Sequence, residues 1–162
     1  MKKSTILMLV VVYIVAFFIV GLLGMQLRSH YSVTYLNEIQ VTPFAESGVV
    51  EEVPPTTTKH GNEDDPSHLR IEHEYFFTVQ YHEDIVLRFN VVMVPTETTD
   101  NNYLLFVPEK NPATITKDEV DKSLTISNIS KPGKFFDVGV EFTLTDTKQN
   151  GVKSHVHLTV HR

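Results

Sequence analysis

Residues 136–144, FDVGVEFTL, alternate apolar and polar side chains without interruption, and this stretch decides the fold. Successive side chains of a β-strand point to opposite faces, so the alternation predicts a strand with one buried and one solvated face. The positions expected to face the core are Phe136, Val138, Val140, Phe142 and Leu144.

Other segments have the same period of two. Their expected core positions are Ile71, His73, Tyr75, Phe77, Val79, Tyr81, Leu87, Phe89, Val91, Met93, Val156, Leu158 and Val160. Further strands are expected at about 31–42, 103–107 and 123–129. One-sided burial is typical of antiparallel sheets, and about seven short strands favour a sandwich. The predicted fold is therefore mainly β: an antiparallel immunoglobulin-like β-sandwich that follows one N-terminal transmembrane helix.

The C-terminal strands are separated by recognisable turn residues. Residues 124–146 read LTISNISKPGKFFDVGVEFTLTD, with a Pro-Gly turn and an aromatic strand ending at Asp146, and a Gly-containing turn precedes the final strand HVHLTV at 155–160. This arrangement resembles the closing strands of immunoglobulin-like sandwiches of the PKD type. The absence of Cys and Trp excludes an antibody-type domain, which carries a Cys–Trp–Cys signature. The resemblance implies a fold and not a function.

Residues 45–70 interrupt this pattern. The segment is acidic and contains Pro54, Pro55 and Pro66. We expect a long surface loop with one short strand at 49–53. Loops of this length are uncommon unless they are functional or flexible.

Residues 5–27, TILMLVVVYIVAFFIVGLLGMQL, contain no charged side chain. As a helix they would extend about 35 Å, which is enough to cross a hydrocarbon core of about 30 Å. A cleaved signal peptide is the alternative, but its apolar stretch is about 7–15 residues and small residues follow it. Here Met25, Gln26, Leu27 and Arg28 follow instead. The predicted domains are an anchor at 1–27 and an extracytoplasmic β-domain at 28–162.

The basic residues predict the orientation. Lys2 and Lys3 precede the span, and Arg28 alone follows it closely. Because basic residues favour the cytoplasmic side, the N-terminus is expected in the cytoplasm and the β-domain outside. A linker of four or five residues reaches at most about 17 Å, so a strand at 31–42 would hold the domain near the membrane. If that strand lay outside the sandwich, residues 45–70 would form a stalk.

Composition excludes several classes of site. There is no Cys, which rules out disulfides, thiolate metal sites and a cysteine nucleophile. The net charge of the chain is −6, and residues 28–162 carry −8 because Lys2 and Lys3 supply two positive charges to the N-terminal segment. Such an acidic domain repels phosphate backbones, so no nucleic-acid partner is expected.

Histidine is the unusual residue, with eight in the chain. His155 and His157 lie two apart on a predicted strand, about 7 Å from each other on one face, and can share a metal such as Cu(II), Zn or Ni. The reading we favour is that they cover the solvated face opposite Val156 and Leu158. His73 is expected at the edge of the core with one hydrogen bond.

Other motifs carry less information. Glu63, Asp64 and Asp65 lack the alternating pattern of a calcium loop, and Asn128 begins a glycosylation sequon. No nucleophile elbow, zinc-protease motif, P-loop or dinucleotide fingerprint is present, so neither an enzyme nor a cofactor is predicted.

The sequence favours a non-catalytic accessory or structural subunit of a membrane-protein complex. Its expected partners are the membrane and integral-membrane subunits. Gly21 and Gly24, about 60° apart on a helix, would allow close helix packing. The alternatives are a metal or redox accessory domain, similar to an assembly factor, that uses His155 and His157, and an adhesive or ligand-binding ectodomain with residues 45–70 and 96–102 as its contact surface.

The orientation generates the first prediction. Because the chain has no Cys, Ser47→Cys creates a single labelling site. An impermeant maleimide should label it in intact cells, since residue 47 is expected outside. Labelling only after lysis would reverse the orientation.

Overall fold

The computed structural model describes residues 3–30, 33–44, 49–65, 67–83, 85–99, 101–148 and 151–162. The chain forms two compact units, Met1–Val33 and Thr34–Arg162. The labelling position proposed above, residue 47, lies outside the described residues, as does the 45–48 part of the expected acidic loop.

The first unit contains the helix α1, Lys3–His30. Within it, residues Ser4–Leu23 have a mean hydropathy of 3.2, so the helix is long and apolar enough to cross a membrane. A signal sequence near an N-terminus passes the same test of length and composition. A Cβ at Gly21 would have no atom within 4 Å, so this face of the helix is open. Gly24 lies in the same helix.

The described part of the second unit forms nine strands. They are β1 Glu38–Pro43, β2 Val49–His60, β3 Arg70–Gln80, β4 Leu87–Val94, β5 Tyr103–Phe106, β6 Thr114–Lys117, β7 Ser123–Ser127, β8 Val138–Asp146 and β9 Lys153–His161. The strand order is β5-β8-β9-β3-β1-β4-β7-β6, and β2 pairs with β3 outside this path. The domain is thus mainly β, as predicted.

The sheet is mixed, which corrects the expectation of antiparallel pairing throughout. Strand β3 runs parallel to β9 over eight residue pairs, from His73–Ser154 to Gln80–His161. It also meets β1 in parallel at the single pair Glu38–Ile71. The other pairs are antiparallel. Hydrophobic alternation is the same for either direction, so the sequence pattern did not distinguish them.

The alternating residues build one hydrophobic core. Buried positions predicted from the sequence include Tyr75, Phe77, Val79, Leu87, Phe89, Val91, Met93, Val140, Phe142, Leu144, Val156, Leu158 and Val160. Phe136 is a correction, because β8 begins at Val138 and the Phe136 side chain is 68% exposed. Ile71, Tyr81 and Val138 are only partly buried.

Strand β2 differs most from what the sequence pattern predicts. Residues 49–60 form a twelve-residue strand paired with β3, where a loop with a short strand at 49–53 was expected. Residues 51–60 are almost all exposed, so no apolar alternation marks the strand. The expected strand at 31–42 is shorter, Glu38–Pro43, but it does join the sheet through β4.

Strands β8 and β9 form an antiparallel hairpin, and the Gly-containing turn that the sequence predicts before the final strand falls between them. The two strands pair antiparallel from Val138–Val160 to Thr145–Lys153. Gly151 has φ +88°, a conformation that residues with a Cβ rarely adopt. Residues 149 and 150 lie outside the described part of the chain.

The core generates the second prediction. Phe142→Ala in residues 28–162 should lower the free energy of unfolding by about 3–5 kcal/mol, because this side chain is 2% exposed and its loss leaves a cavity. Phe135→Ala is the matched control: that side chain is 90% exposed and its loss should cost under about 0.5 kcal/mol. Urea unfolding followed by circular dichroism measures both, and equal effects would contradict the assignment of the core.

Candidate functional site

Polar side chains from neighbouring strands meet on the solvated face of the β8-β9-β3-β2 part of the sheet. The inward residues of β9 are buried, so the residues between them point to the opposite face. We call this surface the histidine face and define it by His60, Glu72, Glu74, Glu141, His155 and His157. The register brings its members together, since Glu74 pairs with His155 and Glu141 with His157.

Glu72 lies between two imidazoles. The Nε2 of His155 is 2.9 Å from one carboxylate oxygen of Glu72, and the Nε2 of His60 is 3.4 Å from the other. The Nδ1 of His155 is 2.9 Å from the hydroxyl of Thr143. Partial burial acts to raise the pKa of Glu72, but the hydrogen bonds from His155 and His60 outweigh it, and the pKa is lowered. Glu72 is therefore a carboxylate at neutral pH.

His157 also has carboxylates on both sides. Its Nε2 is 3.1 Å from Glu74 and its Nδ1 is 3.3 Å from Glu141. The ring stacks on Phe76, with centroids 5.1 Å apart. A neutral imidazole has one N–H, so only the protonated ring can donate to both carboxylates. Two neighbouring histidines of one strand are thus held by different acids.

Pairs of a histidine with an acidic side chain also occur outside the histidine face. Within the described residues, six histidines have a ring nitrogen within hydrogen-bond or ion-pair distance of an acidic side chain; they are His60, His68, His73, His155, His157 and His161. The number of histidines is visible in the sequence, but most of the acids that face them are not predictable from it. Asp65 is close to His68 in the chain, whereas Glu38, Glu72, Glu74 and Glu141 come from other strands, and only strand register brings them close to their histidines.

His73 is the buried member of this set. Its Nε2 is 2.6 Å from Glu38, and its Nδ1 is 3.1 Å from the hydroxyl of Thr57. The side chains of His73 and Glu38 are 9% and 13% exposed. Glu38 also accepts a hydrogen bond from Gln40. His73 therefore has two partners, not the single one expected, and the cluster joins β1, β2 and β3.

The hypothesis of a metal site at His155 and His157 stays a prediction. Within the part of the chain that the structure describes, no group of three or more His, Asp or Glu side chains is arranged to hold a metal ion. The two rings are directed at different acids: His155 contacts Glu72, which His60 also approaches, whereas His157 contacts Glu74 and Glu141.

The acidic run at 63–65 is engaged locally. Glu63 is 2.6 Å from Lys59, and Asp65 accepts hydrogen bonds from the backbone and hydroxyl of Ser67 and contacts His68. The hydrogen bonds from Ser67 and His68 lower the pKa of Asp65. These contacts join residues that are close in the chain, so they stabilise the turn between β2 and β3 locally.

A groove lies beside the histidine face, over β5, β8 and β9. Its volume is about 520 Å³, and it is lined by Leu104, Phe106, Thr143, Thr145, Gly151, Lys153 and His155. Leu104 and Phe106 form an exposed apolar wall, and Lys153 supplies a cation. This volume is in the range of sites for small ligands or single side chains.

Comparison of the chain with protein-family models, curated proteins and solved structures finds no match. The resemblance of the C-terminal strands to PKD-type domains therefore stays a prediction.

Glu72 generates the third prediction. Its pKa is depressed in the folded state from an ordinary value of 4.5, so its charged form stabilises the domain above that pH, and this contribution is lost as the pH falls through the folded-state pKa. Glu72→Gln should lower the free energy of unfolding by about 0.5–1 kcal/mol at neutral pH, and by much less in strong acid.

The control is Glu97→Gln, since Glu97 is exposed in the loop after β4. Thermal unfolding of both variants across the acid range measures the difference. A penalty at Glu72 that is unchanged in strong acid would show that shape, not charge, matters there.

Proposed function

We propose that this chain is a non-catalytic accessory or structural subunit of a membrane-protein complex, anchored by α1 with its β-domain on the outer side. The observation that carries the proposal is the helix itself. Within Ser4–Leu23, none of the side chains that the structure describes is buried. An exposed, mainly apolar helix of this length is unstable in water, and lipid or other membrane spans would cover it.

The orientation is supported by Lys2 and Lys3 before the span. The connection is short: three residues separate His30, the end of α1, from the second unit at Thr34. A domain on so short a connection suits contact with neighbours in the same membrane.

We further propose that the β-domain is an immunoglobulin-like sandwich. With β2 set aside as an insertion and β3 as a second segment of the first strand, the strands in chain order can be lettered A to G. The order β1-β4-β7-β6 then corresponds to A-B-E-D, and β5-β8-β9 corresponds to C-F-G. The single β1–β3 pair would join the two halves at one corner.

The histidine face and the adjacent groove are the surfaces that favour a binding role. Their imidazoles and carboxylates are already paired across strands, which presents a preorganised set of hydrogen-bonding groups. His155 belongs to the histidine face and also lines the groove, and Thr143 in the groove contacts His155. A partner docked on one surface would therefore contact the other.

A second candidate function is a metal or redox accessory domain. It is favoured by one feature, the approach of His60 and His155 to the same carboxylate, Glu72. Bound copper or zinc in the purified full chain, lost on His155→Ala, would support this candidate over the first.

The fourth prediction tests the anchor as a packing surface. In the membrane, plain apolar contact with lipid competes equally with contact between helices, so close packing needs small residues. Gly21→Leu with Gly24→Leu should preserve membrane insertion but reduce co-purification of membrane subunits in mild detergent. Ala16→Leu is the matched control, because it also enlarges a small residue of α1 but lies on another side.

If the complex survives both changes, α1 is only a tether and recognition lies in the β-domain. If no membrane protein accompanies the unmodified chain in stoichiometric amount, the proposal of a complex subunit is wrong.

A further inference from the structure

The groove over β5, β8 and β9 is built from two rows of side chains that cross these three strands. The first row is Phe106, Thr143 and His155, and the second is Leu104, Thr145 and Lys153. Residues that lie directly opposite each other on antiparallel strands share one face of the sheet, so all six side chains point into the groove. The strand register thus fixes which groups a ligand in the groove would meet.

The wall of the groove on β5 is apolar, unlike the rest of this face. In β8 and β9, every residue that lies between two buried positions is polar or glycine. Strand β5 instead turns Leu104 and Phe106 outward, and these side chains are 40% and 58% exposed. An apolar group that covered both of them would remove apolar surface from water on either side of the contact.

The opposite side of the groove, on β9, is cationic. Lys153 is exposed and makes no ion pair with any residue that the structure describes. No acidic side chain is among the described residues that line the groove, although residues 28–162 carry a net charge of −8. A ligand group that lies beside Lys153 is therefore stabilised by a negative charge.

The threonines between these two sides form a floor whose hydroxyls are already engaged. The hydroxyl of Thr145 donates to the carbonyl of Val152 at 3.2 Å, and the hydroxyl of Thr143 is 2.9 Å from Nδ1 of His155. Lys153 is thus the lining side chain whose donors are open to a ligand. Neighbouring strands are about 4.8 Å apart, so the apolar wall on β5 and the cation on β9 arise from backbones about 10 Å apart.

The size of the groove and the edge of β5 favour a free small molecule over a polypeptide. A volume of about 520 Å³ is in the range of small-ligand sites. A peptide at this position would add a strand to the edge strand β5. The Nζ of Lys117, however, is 2.8 Å from the carbonyl oxygen of Tyr103 and 2.7 Å from Oδ1 of Asn102. A backbone acceptor at the start of β5 is therefore already occupied.

We propose that the groove binds a small carboxylic acid with an aromatic or branched apolar body. The apolar body lies against Leu104 and Phe106, and the carboxylate pairs with Lys153. The inference rests on the binding role proposed above for the groove, and not on the membrane anchor. One exposed ion pair and one apolar wall give weak binding, and selectivity comes from the need for both groups in one ligand.

Fluorine NMR of the full chain in nanodiscs of neutral lipid tests the class of ligand. The probe is para-fluorinated phenylpropionate, and empty nanodiscs give the background from partition into lipid. The matching amide keeps the ring and loses the charge, so the acid should bind about fivefold more tightly than the amide. Propionate keeps the charge and loses the ring, so an equal concentration of it should not displace the probe. Equal affinities of acid and amide would overturn the proposal.

Variants with matched controls test the position of the ligand. Lys153→Met should weaken binding of the acid about fivefold and leave binding of the amide unchanged, because only the charged ligand loses a partner. Lys134→Met makes the same change of charge in the loop before β8, at the other end of that strand, and should alter neither ligand. Equal effects of the two lysine variants would overturn the assigned ion pair.

Phe106→Ala should weaken the acid and the amide alike, about tenfold, because both ligands carry the ring that packs on this side chain. Phe135→Ala is its control, since Phe135 is also exposed but lies in the loop before β8. Unchanged affinity in Phe106→Ala would overturn the placement of the apolar body.

Two further outcomes identify the source of the ligand and separate this proposal from the one it rests on. A short peptide ending in phenylalanine that binds more tightly than the acid, and is weakened by Lys153→Met, would assign the groove to a polypeptide C-terminus and overturn the free acid. Absence of probe binding to the unmodified chain, while membrane subunits still co-purify with it, would overturn the ligand and leave the proposed complex standing.

Discussion

Strand β3 is the element on which the rest of the domain depends, because it has neighbours along both of its edges. On one edge β2 follows it for most of its length, and on the other it meets β1 at Ile71 and then β9 from His73 onward. The backbone N–H and C=O groups of a strand in this position must be hydrogen-bonded along both edges, and its side chains must alternate between the two faces. Its inward residues, Tyr75, Phe77 and Val79, are all buried. A shift of one residue would bring the glutamates into the core.

The histidine–carboxylate pairs follow from that division, and burial decides what each pair contributes. The His73–Glu38 pair is almost fully enclosed; the second ring nitrogen of His73 contacts the Thr57 hydroxyl, and Gln40 donates to the same Glu38 oxygen that contacts His73. Removing one partner of such a pair leaves a buried group unpaired, which is strongly destabilising. The side chains of the pairs on the histidine face are about a third to two thirds exposed, where solvent screening limits each pair to a small contribution. The buried His73–Glu38 pair therefore stabilises the fold, whereas the exposed pairs determine the polar character of the histidine face.

The surface of the domain divides by position along the strands. Where the chain enters, the Thr98 hydroxyl donates to the carbonyl of Thr34, so the 95–102 loop closes over the first residues of the domain. The opposite end carries the exposed Phe135 and Phe136, in the loop before β8. The histidine face and the groove occupy the sheet between these ends.

The sequence by itself determined the elements whose burial is periodic. The strands around Phe142, Phe89 and Leu158 were predictable because apolar and polar residues alternate along each of them. The helix was predictable because its segment is long, apolar and without charged side chains. Strand β2 was not predictable, since an edge strand exposed on both faces has no apolar period. Nor was the exposure of Phe136, which continues the alternation of β8 but precedes the strand and packs on Gly133.

Only the tertiary structure decided which polar groups meet. Glu72 and His155 are far apart in the chain, and so are Glu38 and His73, yet each pair lies within hydrogen-bond distance. Strand register and the parallel direction of β3 and β9 bring them together. These depend on the packing of the whole core, because hydrophobic periodicity specifies the face of a residue but neither its neighbouring strand nor the direction of that strand.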